Sequence, residues 1–591
     1  MSVGASIVAL CGLLTAGVVL AQEEVQGLVP RTWKGVHYGC KCYPGDACWP
    51  DSKAWNNLNK TVDGNLAIAL PPGAPCHDVF NGPLGNFATY NAAECAKVTA
   101  SFGNEQWQVE HPIAQLWTLS TNETCRPTTN PRDPCTLGYY GVYVITAKTD
   151  AHVKEGVDFA RENNLRLVIR NTGHDFIGRS TGWGALIINT HSFRDYEFHK
   201  SWKGPGTYKG PAVTIGAGIQ GRDFLRIAHA QQPPQVVITG ECPTVGIAGG
   251  LLQGGGHGPW TPLKGFAADN ALEFQVVTAQ GRLATANAKE NSDLYWALKG
   301  GGPGAFAVVL STTVATFDDL PSAGIILHIN STHTTDQDLF WSGVQLFTNY
   351  SNHFVDSGLY AYFGVRPLRL HVRPLLGINQ TAAQITATVK PLLDQFDKIG
   401  LRYTVVTKEF KSFFDLYVDL FEDETAGQPS LTGGWTFSHE DIESNSNSIV
   451  DAYKNTLANG GIVVGHIWGA GHGGVTDSAV NPRFRKASTK VIAALPVAVN
   501  ATLADKDKAQ YTLTNVIDEA LRKAGPNGCA YINEADPYQP NWQQNFWGTN
   551  YPALYDIRKK WDPKGVFYAV STPGTEDWEV IEFGTRLCKK L

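Results

Sequence analysis

The 591-residue chain has no excess of positive charge. Its 48 lysines and arginines face 54 aspartates and glutamates, for a formal net charge of −6. Binding nucleic acid needs a basic footprint that displaces phosphate counterions, so that class of partner is excluded. No run of like charges marks a solvated tail. Beyond residue 21 no segment is long and apolar enough to cross a bilayer, and no membrane partner is expected. Internal repeats and low-complexity segments are lacking too. No glycine cluster runs into the GKS or GKT of a P-loop. His466 and His472, six apart in a glycine-rich stretch, lack the spacing of a metal pair, so no metal site is expected.

What is present begins with MSVGASIVALCGLLTAGVVLA (1–21), apolar, ending in small residues and without the basic flanks of an anchor. It reads as a secretory signal cleaved near Ala21, which predicts an extracellular protein. Of 11 cysteines, Cys11 leaves with that segment and seven of the rest lie between Cys40 and Cys135. In an oxidising compartment CKCYPGDAC (40–48) reads as a disulfide framework rather than a metal knuckle. Six N-x-S/T sites (Asn59, Asn122, Asn330, Asn349, Asn379, Asn500) fit the same compartment. If Cys242 has another task, nine cysteines remain and at least one is left over; the connectivity is open.

Residues 22–136 are rich in Pro, Asn and Cys and weakly periodic, a stapled N-terminal region. From Tyr139 the texture changes: VYVITAK (142–148) is a strand, Asp150 can cap the helix AHVKEGVDFAREN, and LRLVIR (165–170) is the next strand. AVTIGAGIQG (212–221) is a strand leading into RDFLRIAHAQQ. Past Asp319 amphipathic helices (381–399) alternate with strands (359–365, 368–374). That pattern suggests a second, α+β domain beyond Asp319. Tyr360 and Tyr362 share one face of their strand, and Arg369, His371 and Arg373 one face of the next; both faces are expected to be solvated or packed on helices.

GAGIQG (216–221), with Glu241 about 20 residues on, matches the dinucleotide fingerprint of nicotinamide enzymes. A secreted protein has no pool of exchanging NAD, and larger glycine clusters follow, so the match reads as a decoy. The stronger signal is three loops: RNTGHDFIGRSTG (170–182), GECPTVGIAGGLLQGGGHGPW (240–260) and ALKGGGPGAFAVVLS (297–311). Glycines let backbone N–H groups approach and ring an anion such as a diphosphate.

With KGFAADN, DLYWALK and NYPAL (550–554) these loops make the sequence similar to the secreted FAD-linked oxidases of the vanillyl-alcohol-oxidase superfamily, in the berberine-bridge-enzyme-like branch. The resemblance is dense over 139–318 and again over 531–567. It implies a discontinuous FAD-binding domain, 137–318 with a C-terminal segment at 528–591 that returns to it, an α+β substrate domain with an antiparallel sheet over 319–527, and FAD held covalently, His174 on the 8α-methyl and Cys242 on C6. It also implies that Asn171, Thr172, Gly173, Asp175, Gly178, Arg179 and Ser180 wrap the diphosphate. Val245, Gly246, Gly249, Gly250, Gly254, Gly255, Gly256, His257 and Gly258 would line the flavin's other side. Asp269, Asn270, Val308 and Val309 would border the adenosine end, and Asn550 and Tyr551 would return to the ring. A valine three residues after the cysteine, here Val245, goes with oxygen access.

Sugar-oxidising relatives carry Y-x-N-Y near the C-terminus. Here Tyr531-Ile-Asn533 is followed by Glu534, so Tyr531 and Glu534 are the catalytic candidates, Glu534 either as a base or as the partner of a cation such as an arginine. The strand that carries an acidic base in some relatives corresponds to KASTKVIAALPV (486–497), which has no carboxylate. The expected function is that of a monomeric, secreted flavoprotein oxidase, taking two electrons from an alcohol, amine or sugar-type small molecule or oligosaccharide and passing them to O2. The alternatives are a flavin dehydrogenase and a catalytically silent flavin- or glycan-binding protein.

Overall fold

A computed structural model describes residues 27–423, 425–470 and 477–591; the expected signal segment 1–21 and His472 lie outside the described residues. The strand–helix–strand unit forms as expected: Tyr143–Thr146, the helix Asp150–Glu162 and Leu167–Arg170. The cap is one residue early, since Thr149, not Asp150, accepts the N–H of His152. Gly156 lets this helix sit directly on the sheet, where a Cβ would stand 2.9 Å from Ile145 and Ile188. Leu186–Asn189 pairs in parallel with both Tyr143–Thr146 and Leu167–Arg170. A parallel neighbour obliges the chain to return along the strand, so 171–185 is a crossover rather than a turn.

Next comes a five-stranded antiparallel sheet in the order Tyr196–His199, Ala212–Gly216, Ala307–Ala315, Ala271–Thr278, Leu283–Asn287. GAGIQG thus leaves an antiparallel strand, not the parallel one a dinucleotide fold requires. Its glycines serve close packing: a Cβ on Gly218 would lie 2.0 Å from the His191 carbonyl.

The third sheet has seven antiparallel strands, in the order Thr404–Phe410, Ser322–Ile329, Arg369–Ile378, Tyr360–Arg366, Ile462–Ile467, Ala487–Pro496, Ser430–Ser438. Helices cover one face, with Phe347 of the Gln337–Asn349 helix packing edge-on to Phe363. Because side chains alternate, it is the Ala361–Phe363–Val365 face that meets helices. On the other face Tyr362 lines a cavity, against expectation, while Tyr360 is buried against Glu241.

The N-terminal strands Val29–Trp33 and Val36–Cys40 complete a four-stranded sheet with Arg586–Lys590 and Trp578–Ile581. Four disulfides form, Cys40–Cys588, Cys42–Cys48, Cys76–Cys95 and Cys125–Cys135. Neither Cys242 nor Cys529 joins one. Burial pushes the Cys529 thiol up to about 12, which makes it the inert leftover. No helix among the described residues is long and apolar enough to cross a membrane.

Candidate active site

The crossover loop is pinned before it reaches the cavity. Arg170, fully buried, donates to the carbonyls of Ala114 (3.0 Å from Nε) and Gln108 (2.9 Å from Nη2), tying the N-terminal region to the loop's root. Gly173 sits at φ +78°, and a Cβ there would lie 2.7 Å from the Ala114 carbonyl, so the residue before His174 must be glycine. Asp175 accepts from the N–H of Ser180 (2.7 Å) and from Arg179 Nε (3.3 Å). His174 is thereby held inward. Its Nε2 lies 2.5 Å from Thr244 Oγ1 and 3.6 Å from Cys242 Sγ, which brings the two predicted anchors together from loops 68 residues apart. Burial, helped by the charge of Arg170, lowers the His174 pKa to about 3, so its imidazole stays neutral. Behind the pair, Glu105 accepts from Thr244 (3.1 Å) and Cys242 (3.7 Å), and burial raises its pKa.

These groups open on a cavity of about 750 Å³, near the upper end of ordinary ligand sites. Of the predicted residues, Asn171, Thr172, Gly173, His174, Asp175, Arg179, Ser180, Cys242, Val245, Gly246, Gly249, Gly250, His257, Val309, Tyr531 and Glu534 line it. The others do not. Gly178 faces Ser120 at φ +82°. Gly254, Gly255, Gly256 and Gly258 stand behind the wall, where a Cβ would strike Asn533 (2.2 Å), Val480 (3.3 Å), Ala267 (2.7 Å) and the Thr239 carbonyl (1.8 Å) respectively. Their glycines serve packing. Asp269 takes both Nη atoms of Arg485 (2.8 and 2.6 Å), and Asn270 donates to the carbonyls of Lys264 and Phe266. Val308 points to the opposite side of its strand, into a separate core cluster. Asn550 donates to the Val480 carbonyl, and the Tyr551 hydroxyl bonds Glu576. The C-terminal contribution comes instead from Tyr531, Asn533, Glu534, Phe567, Tyr568 and Ala569.

The donor set fits FAD. Gly250 is open, with nothing within 4 Å of where its Cβ would be, and Gly246 allows Asn171 Oδ1 within 2.3 Å of that point. Several buried polar atoms on cavity residues, among them Asn171 Oδ1, Arg179 Nη1 and Gln253 Oε1, have no hydrogen-bond partner in the protein. A polar, elongated ligand would satisfy them.

At the far end of this cradle lies a buried polar cluster. Glu534 pairs with a cation, but the cation is Lys490, on the strand that offered no carboxylate. The other Glu534 oxygen lies 3.4 Å from His257 Nε2. His466 Nε2 lies 2.9 Å from Glu241 Oε1, and the hydroxyl of Tyr360 donates to Glu241 Oε2 at 3.4 Å. Burial opposes ionisation of Glu241, but the charge and hydrogen bond of His466 outweigh it and its pKa falls. Burial lowers His466 to about 4 and His257 to about 3, and drives Lys490 well below the usual lysine range. With Nε2 held by Glu241, the buried Nδ1 of His466 has no hydrogen-bond partner in the protein. The Tyr531 hydroxyl is engaged by the N–H of Gly256 (3.2 Å) and by Asn533 (2.9 Å), and burial raises its pKa to about 12. Sequence reasoning missed Lys490, His466 and Asn533. Only Asn533 sat in a recognised motif.

The buried histidines predict acid sensitivity. His111, His174 and His257 fall from 6.5 to about 3, and His191 and His466 to about 4, in each case mainly through burial. Unfolded histidine binds its proton below 6.5 while the folded form does not, so stability is lost as pH falls from 6.5 toward 4. The slope is about 1.4 kcal/mol per pH unit for each fully protected histidine. Denaturant midpoints at pH 6.5, 5.5 and 4.5 should fall monotonically and His111→Gln should flatten the slope; a level profile would contradict the burial.

A family model described as FAD binding domain matches residues 142–287, and one described as berberine and berberine like matches 530–570. The chain is 37% identical over 556 residues to FAD-linked oxidoreductase ZEB1 of Gibberella zeae, covering 93% of this chain and 95% of that protein. It is 34% identical over 572 residues to VAO-type flavoprotein oxidase VAO615 of Thermothelomyces thermophilus, covering 93% and 95%. The crystal structure of the VAO-type flavoprotein MtVAO615 from Myceliophthora thermophila superposes with a TM-score of 0.87 at 31% identity, over 93% of this chain and 100% of that one. The glucooligosaccharide oxidase of Acremonium strictum shares the fold, with a TM-score of 0.60 at 18% identity over 74% of this chain and 91% of that one. Fold and site define an FAD-dependent oxidoreductase. The chain belongs to the vanillyl-alcohol-oxidase superfamily, in its berberine-bridge-enzyme-like branch.

Proposed function

We propose that this protein is a secreted, monomeric oxidase that carries FAD on two covalent links, through His174 and Cys242. It oxidises an alcohol, amine or sugar-type carbon by two electrons, and O2 leaves as H2O2. The observation that carries this reading is the meeting of His174 Nε2 and Cys242 Sγ at 3.6 Å on the cavity wall. A neutral imidazole and a thiol beside a carboxylate acceptor are the two side chains suited to attack an electron-poor ring. The residues 137–318 and 528–591 would form the FAD-binding part and 319–527 the substrate part.

Bound FAD supplies the two-electron acceptor. The chain does the rest. Glu534 accepts the proton of the substrate's hydroxyl or amine as the C–H bond breaks, while Lys490 fixes its second oxygen. His257, beside Glu534 and 2% exposed, holds the reacting group dry. Val245, on the wall next to the anchors, leaves room for O2.

Holoprotein reduced without air and then mixed with air should reoxidise quickly with one H2O2 per flavin. Val245→Leu should slow that step about tenfold, a barrier about 1.4 kcal/mol higher. Slow reoxidation of the parent protein, with fast transfer to a dye acceptor, would make it a dehydrogenase. A flavin that stays oxidised with every candidate substrate would favour the silent binding protein.

A further inference from the structure

One wall of the cavity is β-sheet, and its side chains are graded along the strands. Tyr360–Arg366, Ile462–Ile467 and Ala487–Pro496 are neighbours, with Ser430–Ser438 beyond them. Residues opposite each other in an antiparallel sheet share a face, and that face returns every second residue. The register therefore sets out three rows. The deepest is Tyr362, His466 and Lys490, beside Glu534. Above it come Gly364, Val464 and Ile492, and above those Ile462, Ala494 and Thr432. Arg366 ends its own strand at the level of this outer row.

The polar groups are thus confined to the floor and the rim. Between them lie Val464 and Ile492, and Ile462 and Ala494 of the outer row face the cavity beside Thr432. Gly364, opposite Val464, is open, with only the Val463 carbonyl (3.8 Å) near where its Cβ would be. A glycan needs hydrogen-bond partners along its length. Each hydroxyl pressed on this aliphatic stretch would lose water without compensation, at about 1–3 kcal/mol. A hydrocarbon gains about 25 cal/mol for each Å² it buries there.

The rim is cationic. Arg366 lines both the cavity and an adjoining recess that also holds its cross-strand neighbour Arg369 and His371. The acids of that recess are taken, Glu241 by His466, Glu422 by Arg373 and Asp423 by Arg222. Among the described residues no carboxylate lies within ion-pair distance of Arg366 or Arg369. Four residues of strand separate Tyr362 from Arg366, roughly 13 Å at 3.2–3.4 Å per residue.

We propose that the substrate is an alcohol with an apolar body and a carboxylate at its far end, at least about 13 Å from the carbon that is oxidised. The body lies along Val464 and Ile492 and the carboxylate on Arg366. This rests on the oxidation site proposed above and names its substrate class.

The test is a titration of holoprotein with decanoate, decanol and cellobiose, followed through the flavin absorption band and tryptophan fluorescence. Decanoate should saturate at least about tenfold tighter than decanol, a difference of about 1.4 kcal/mol, and the gap should narrow with salt. Arg366→Ala, at an exposed position, should bring decanoate to the level of decanol and leave decanol unchanged. Ile492→Ser should weaken both. Saturation by cellobiose, a decanoate preference that survives Arg366→Ala, or no response to decanoate would each overturn the proposal. Because the signal is binding, a protein that prefers decanoate yet reacts slowly with O2 sinks only the oxidase reading. One that oxidises a glycan with release of H2O2 sinks only this one.

Discussion

Protein unfolded in acid, precipitated and washed should stay yellow, as should His174→Ala and Cys242→Ala, while the double variant should be washed colourless. Each single substitution leaves one covalent link, and one link suffices to retain the flavin through unfolding. The geometry gives the two anchors different demands. His174 needs no base, because burial and the Arg170 charge already keep its imidazole neutral down to about pH 3. Cys242 must lose a proton, and Glu105, whose carboxylate pKa is raised by burial, lies 3.7 Å away to receive it. Glu105→Gln should therefore slow formation of the cysteine link and spare the histidine link, visible as flavin that acid releases from His174→Ala, Glu105→Gln but not from Glu105→Gln alone. Loss of colour from the parent protein would leave a noncovalent flavoprotein and end the two-link reading.

The second large effect is expected at Glu534 and Lys490. Removing a general base typically costs 10²–10⁴ in rate, and Glu534→Gln should lower kcat by about that factor with the flavin spectrum intact. Lys490 is fully buried on its strand and touches the reaction only through Glu534, which makes it a positioning residue. Lys490→Met strips the carboxylate of the Nζ donor that holds it in a partly buried site, which favours the protonated form. The acid limb of the kcat/KM profile should move to higher pH, because the base must be ionised to work. In Glu534→Gln that limb should vanish. Lower thermal stability of Lys490→Met with an unmoved acid limb would assign the lysine a purely structural role.

Much of the site was legible because it is written in backbone-dictating residues. The glycines around His174 and Cys242 mark where the chain turns with positive φ or meets another backbone, and those are local properties. The run GGGHG misled for the same reason. Sequence shows that Gly254, Gly255 and Gly256 must be small, but not whether the space is reserved for a ligand or for Asn533, Val480 and Ala267. Asp269 and Tyr551 sat in motifs of the right kind, yet Arg485 and Glu576 claim them.

What the sequence by itself made legible is the family, from motifs over 139–318 and 531–567, the glycine-rich loops that carry His174 and Cys242, and the carboxylate at Glu534. Each loop is written in chemistry within a dozen or so residues. The tertiary structure alone decided that Cys40 meets Cys588, 548 residues on, that Lys490 is the cation for Glu534, and that Tyr362, Val464 and Ile492 look into the cavity. Those outcomes follow from sheet register, where a shift of one residue would turn every side chain to the opposite face.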